Sequence, residues 1–272
     1  MILVLLRRHL IEARWPLGLC TGAFFGLSWL TTWMAVRFER LIELGEIGPA
    51  SRRYGFLRAL GGPAMDYSTT ALEICWWNHP VIVLTVLAWA VSRGATGVAG
   101  EIERGTIDVT LSRPISRSLY LSSQVLFAVL GLVAMVLALV AGNVFGSLIY
   151  TLKSPPSLLT LTRPSIIVIS LGMAIYGYTL PFSAIDVVRW RPSLLSSAIT
   201  LAGLVALSIA PQFPDYQKLL ENLSVFQLYA PVTVALKVDP LAFNVAVLLL
   251  IFAIGLGVSY ALFARRDLPS NS

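Results

Sequence analysis

The densest group of chemically active side chains in this sequence of 272 residues lies at residues 101–117, EIERGTIDVTLSRPISR. Two carboxylates, Glu101 and Glu103, are followed by Arg104, and Arg117 closes the run. Carboxylate and guanidinium groups form strong charge-assisted hydrogen bonds. Hydrophobic segments lie on both sides, so the run predicts a compact loop at a membrane surface that docks a soluble partner.

The same run is divided by residues that turn the chain. Gly105 and Thr106 can break the direction of a helix, and the stretch from Ile107 to Leu111 supplies apolar contacts for a groove on a partner. Pro114 stops that stretch, because a residue before proline disfavours the α region. Ser116 is a good N-cap for the next helix. The pattern predicts a helix end continuous with a span, a short surface helix, and a tight turn back into the bilayer.

Motifs for bond-making chemistry are absent from the sequence. It contains no phosphate-binding GxxxxGK[ST], no HExxH and no GxSxG. Its two cysteines, Cys20 and Cys75, have no metal-site spacing. Acidic residues are missing from the cores of the well-defined apolar segments, where ion-coupled carriers usually keep them. We therefore expect no catalytic residue, no cofactor site and no metal site in this chain, and we do not expect an enzyme.

Composition places the chain in a membrane. It is 57% hydrophobic and 12% charged, with a mean hydropathy of +0.79. Soluble domains carry about a quarter charged residues. The net charge of +6 is spread over several loops, which is typical of the positive-inside bias rather than of nucleic-acid binding.

We predict an all-α integral membrane protein whose residues 1–272 form a single transmembrane domain. Residues 1–15 are expected to form an interfacial amphipathic helix. Six segments are long enough to cross a hydrocarbon layer of about 30 Å, and they lie at about 16–36, 78–99, 119–150, 165–187, 194–210 and 241–264. A short cytoplasmic coupling helix is expected between the second and third spans.

Six spans put both termini on one side of the membrane. The segments that are inside when both termini are cytoplasmic carry more Lys and Arg in fewer residues than the outer ones. This favours cytoplasmic termini. Arg93, in the second span, is then near the inner surface, where we expect it to reach towards Glu101.

Small residues recur at a helical spacing in two spans. Gly18, Gly22 and Gly26 lie on one face of the first span, and Gly142 and Gly146 do the same in the third. Such faces let another helix approach closely. Two interpretations stay open: packing within the subunit, and a face at the interface between two subunits.

The ordered run at residues 101–117 resembles that of the membrane subunits of type 2 ATP-binding-cassette (ABC) exporters. Many of them carry an acidic pair after the second span, then an Arg-Gly-Thr, and then a Ser-x-Pro-x-Ser-Arg run. The residues that match here are Glu101, Glu103, Arg104, Gly105, Thr106, Leu111, Ser112, Pro114, Ser116 and Arg117. The six-span layout agrees with this resemblance along the whole chain.

The resemblance implies a permease subunit with a coupling helix around residues 106–112. That helix would dock on a separate ABC ATPase subunit, which would bind ATP and Mg²⁺. It also implies a second permease subunit, identical or homologous, and a bacterial or archaeal plasma membrane. The alternative is a non-transporting scaffold or sensor that docks a cytosolic regulator through the same loop.

Overall fold

The structure, a computed structural model, describes residues 2–44, 74–107, 115–152, 155–237 and 240–266. These residues form helices and turns, with no β-strand among them. Six helices are long and apolar enough to cross a membrane, which confirms the predicted number of spans. They are α1 (Ile2–Glu43), α2 (Pro80–Ala95), α3 (Arg117–Ile149), α4 (Leu158–Ile185), α5 (Trp190–Ile209) and α8 (Leu241–Arg265).

Residues 2–15 are the first part of α1 and not a helix of their own, and the interfacial position expected for them stays a prediction. The helix passes through Pro16 without ending. A proline inside a helix removes one hydrogen bond and crowds the carbonyl four residues before it. The helix is held on the N-terminal side of Pro16 because Leu5, His9 and Ala13, spaced one turn apart, are buried against the bundle. With 42 residues and about 1.5 Å of rise per residue, α1 is roughly twice as long as a hydrocarbon core of about 30 Å.

Helix α4 is at the centre of the bundle. Most of its length is buried, and it contacts every other long helix except α1 closely. Its observed start at Leu158 precedes the predicted start at 165. Ser157 caps the helix there, because its hydroxyl accepts from the Thr160 amide at 3.1 Å. Gly177 of α4 lies against Gly255 of α8 so closely that a side chain on Gly255 would overlap the Gly177 carbonyl.

Helix α1 packs mainly on α3. A Cβ on Gly146 would lie 2.7 Å from Cβ of Thr32, and one on Gly142 would lie 2.9 Å from Cβ of Ser28. Both glycines therefore permit close packing within the subunit, and that interpretation of the α3 face is confirmed.

Short elements cover the end of the bundle at which α4 and α8 begin. Here the chain forms α6 (Gln217–Asn222) and then, after a break, a 3₁₀ turn (Val225–Leu228). The break lies at Ser224, whose hydroxyl accepts from the Phe226 amide. Helix α7 (Pro231–Ala235) follows. Nearby, Tyr229 donates its hydroxyl to the Trp77 carbonyl at 2.7 Å, and burial raises the pKa of Tyr229.

The opposite end of the bundle is the one at which α1, α3 and α5 begin and α2, α4 and α8 end. We call it the Glu101 end, because Glu101 lies there. It holds most of the residues singled out in the sequence.

Candidate functional site

Helix α2 reaches the Glu101 end through a π-helical turn (Thr96–Gly100) and a short helical turn (Glu101–Glu103). Ser183 of α4 stabilises this irregular stretch. Its hydroxyl accepts from the amides of Val98 and Ala99 at 3.1 and 2.9 Å, and donates to the carbonyl of Ala95 at 2.8 Å. The wider turn would otherwise leave buried backbone groups unpaired. The end of α2 is thereby fastened to α4.

Glu101 is buried, with 1% of its surface exposed, and its carboxylate has three partners. Arg8 of α1 donates to it at 3.0 Å, the Thr106 hydroxyl donates at 2.6 Å, and Arg104 forms a second ion pair. A buried carboxylate is tolerated only when it is paired and hydrogen-bonded in this way. Glu101 therefore joins α1 to the end of α2 and closes the turn that follows.

Glu103 points to a different element from Glu101. It is exposed, and its carboxylate accepts from the backbone amide of Arg189 at 2.9 Å. Arg189 is the residue before α5 begins. The two carboxylates therefore connect the end of α2 to two different helices, Glu101 to α1 and Glu103 to the start of α5.

The predicted change of direction at Gly105 is confirmed. Gly105 has a φ of 66°, the left-handed conformation that favours glycine. Its amide donates to the Ile102 carbonyl at 2.9 Å, which ends the helical turn. Thr106 adds the bond to Glu101 described above.

Ile107 lies inside the bundle. Only 2% of its surface is exposed, and it belongs to the buried cluster that includes Val98 and Tyr120. Its side chain therefore packs in the chain's own core, and its predicted contact with an ATPase stays a prediction. Leu111, Pro114 and the rest of the expected coupling helix lie outside the described residues.

Beyond that gap, Ser116 is the predicted N-cap of α3, and its hydroxyl accepts from the Leu119 amide at 3.2 Å. Arg117 then reaches α8. Its guanidinium donates to the carbonyls of Phe263 and Arg266 at 3.1 and 2.6 Å. A cationic side chain at a helix C-terminus satisfies carbonyls that have no partner within the helix.

Arg266, at the end of α8, serves the same purpose for α4. Its guanidinium donates to the carbonyls of Ala184 and Asp186 at 2.7 and 2.8 Å. Burial lowers the pKa of Arg266, with the Asp186 carboxylate opposing that shift. Arg117 and Arg266 therefore link α3 to α8 and α8 to α4.

Sequence reasoning assigned Glu101 the wrong partner. Arg93 does not bond to Glu101; its guanidinium lies 5.2 Å from the centre of the Trp89 ring. The partner from another helix is Arg8, which is 93 residues away in sequence. No local pattern could identify Arg8 or Ser183, since neither belongs to a motif.

One serine and histidine contact at this end is structural. Nε2 of His9 lies 3.2 Å from Oγ of Ser123, and both side chains are buried. The Ser123 hydroxyl donates to the Tyr120 carbonyl at 2.7 Å, so its proton is already engaged. A nucleophile needs access to a substrate, and this pair has none.

No described residue packs against the glycine face of α1. A Cβ on Gly18, Gly22 or Gly26 would meet no atom of the described residues within 4 Å. The described part of the chain therefore does not use this face for packing within the subunit. Its use at an interface between two subunits stays a prediction.

Hydrogen bonds at the Glu101 end connect all six long helices. We call the residues that form these connections the junction: Arg8, Glu101, Glu103, Arg104, Gly105, Thr106, Arg117, Ser183, Arg189 and Arg266. Among the described residues, no group of three or more His, Cys, Asp or Glu side chains could hold a metal ion. The geometry suits the transmission of movement between helices. Comparison of the chain with protein-family models, with curated proteins and with solved structures finds no match.

Proposed function

We propose that this chain is the permease subunit of an ATP-driven type 2 ABC exporter. In this proposal residues 101–117 dock on a separate ATPase subunit that binds ATP and Mg²⁺. A second permease subunit, identical or homologous, completes the translocation path. The chain itself binds no nucleotide and catalyses no reaction, and both termini lie on the ATPase side of the membrane.

The observation that supports this proposal best is that residues of the junction lie on both sides of the segment 108–114 in the chain. Before the loop, Glu101 is bonded to α1 and Glu103 to the start of α5. After the loop, Arg117 is bonded to the end of α8. A partner that moved the loop would therefore pull on three different helices, which is what a mechanical link between a soluble motor and a membrane bundle requires.

The test is purification of the tagged chain with a candidate ATPase, chosen as a GxxxxGK[ST] protein encoded beside it. We measure the amount of ATPase that is retained, its rate of ATP hydrolysis, and export from proteoliposomes. The test variant is Glu103→Ala with Gly105→Leu, which removes the bond to α5 and forces a side chain into a left-handed conformation at a cost of about 1–2 kcal/mol. The matched control is Asp215→Ala with Gly257→Leu, an exposed acid outside the junction and a glycine with open space around it.

We expect both variants to insert, and only the first to lose the ATPase or to hydrolyse ATP without export. Wild-type binding and export by the first variant would contradict the proposed role of the loop. If no ATPase is retained and a different cytosolic protein binds through the loop, the chain is instead the scaffold or sensor.

A further inference from the structure

A groove of about 500 Å³ lies between α2 and α5, on the outside of the bundle. None of the residues that line it belongs to the run at 101–117. Its two walls are helices that are both long enough to span a membrane. Leu84 and Leu201 in its walls are 57% and 61% exposed, so the groove is open on the surface of the described bundle.

The walls of the groove change from apolar to polar along its length. Leu84 and Leu87 of α2 face Leu201 and Leu204 of α5 in the half farther from the Glu101 end. Ligand sites are mostly apolar, with a few polar groups that fix orientation. This half suits a hydrocarbon chain.

The half nearer the Glu101 end carries the polar groups: Ser92, Thr96, Arg189, Ser193 and Ser197. From Leu84 to Thr96 the wall is about 18 Å long at 1.5 Å of rise per residue. That length is close to the depth of one leaflet, about half of a hydrocarbon core of about 30 Å. A lipid with its headgroup at the Glu101 end would match both the length and the polarity.

Charge decides which headgroup fits. The backbone amide of Arg189 is bonded to Glu103, but its guanidinium forms no ion pair with any described residue. The nearby acid Asp186 faces Arg191 instead, at 3.8 Å. The Glu103 carboxylate already occupies the start of α5, because it accepts from the Arg189 amide. What remains for a ligand is the guanidinium of Arg189, which lines the polar end of the groove.

We propose that the groove binds one anionic phospholipid, with its phosphate on Arg189 and the neighbouring hydroxyl groups and an acyl chain along the four leucines. Basic pockets between membrane helices are known to recognise such headgroups. A soluble anion would leave the apolar half unfilled, and a zwitterionic lipid would gain less from the single cation. The inference does not depend on the proposed function, because it requires neither an ATPase nor transport.

The experiment uses the purified full chain in micelles that contain phosphatidylglycerol or phosphatidylcholine with a photoactivatable acyl chain. Cross-linked peptides are mapped by mass spectrometry. We expect phosphatidylglycerol to label the α2 and α5 walls about fivefold more than phosphatidylcholine, the factor for one cation beside an anionic headgroup. Arg189→Gln should remove that preference. Arg191→Gln, two residues further on and already facing Asp186, should retain it.

A second pair of variants tests occupancy of the apolar half. Leu201→Trp fills the groove and should abolish labelling by both lipids. Leu195→Trp, on the opposite face of α5 and also exposed, should label like wild type. Gel filtration checks that each variant is folded. The proposal fails if Arg189→Gln keeps the preference, if labelling spreads evenly over the lipid-facing helices, or if the groove cross-links to a second copy of the chain.

Discussion

The burial of Glu101 makes a strong prediction about stability. Glu101→Ala removes a carboxylate that is 1% exposed and leaves Arg8, Arg104 and Thr106 without their shared acceptor. Breaking a buried pair by removing one partner costs about 3–5 kcal/mol. The side chains of Arg8 and Arg104 are 31% and 46% exposed. Water can therefore solvate both groups in the variant, and we expect a loss near the lower limit, about 3 kcal/mol.

Arg8 provides an internal control because it has a second acidic partner. Glu12 lies one turn further along α1, at 2.8 Å from the Arg8 guanidinium, and its side chain is 41% exposed. Exposed pairs at this spacing contribute about 0.3–0.5 kcal/mol. Glu12→Ala should therefore have little effect on the free energy of unfolding.

The measurement is a double-mutant cycle. The purified chain is unfolded by titration with sodium dodecyl sulfate in mixed micelles, with tryptophan fluorescence as the signal. Combining Arg8→Ala with each glutamate change gives two coupling energies. We expect about 1.5–3 kcal/mol for Arg8 with Glu101, the range for a hydrogen bond between charged groups.

The reasoning would be refuted by a coupling of Arg8 to Glu101 no larger than its coupling to Glu12. That result would mean that α1 is not held to α2 through this carboxylate. The junction would then lose its link to α1.

Three further predictions concern packing, the π-helical turn and topology. Gly255→Ala should destabilise the contact of α8 with α4 by about 1–3 kcal/mol, measured by the same titration, while Gly257→Ala, with open space around it, should not. Ser183→Ala should lower the free energy of unfolding by about 1–3 kcal/mol, because it leaves buried amides unpaired. Ser170→Ala loses only a bond to its own helix and should lower it less. Equal losses for the two variants would contradict the role given to Ser183. Reporters at the carboxyl terminus and in the segment between α1 and α2 should label opposite sides of the membrane, and labelling on one side would exclude the six-span topology.

Several features of the fold were predictable because they depend on residues close together in the chain. Six apolar segments of membrane length are a property of composition alone. The cap at Ser116 and the turn at Gly105 follow from local backbone preferences. The concentration of charge at residues 101–117 also marked the end of the bundle where the helices are joined.

The partners in the junction could not be read from the sequence. Glu101 bonds to Arg8 across 93 residues, and Arg189 bonds to Glu103 across 86. Arg93 was the nearer cation in sequence, but the direction of its side chain on α2 places it over Trp89. Which groups meet depends on how the helices are rotated against one another.

The same limit applies to the two glycine faces. Their spacing is alike in α1 and α3, and it predicts only that a close approach is possible. The structure places Gly142 and Gly146 against α1, whereas no described residue lies against Gly18, Gly22 and Gly26. The sequence alone determined which helix faces consist of small residues. Only the tertiary structure decided which of these faces another described helix covers, because the rotation of a helix is set by its packing against its neighbours.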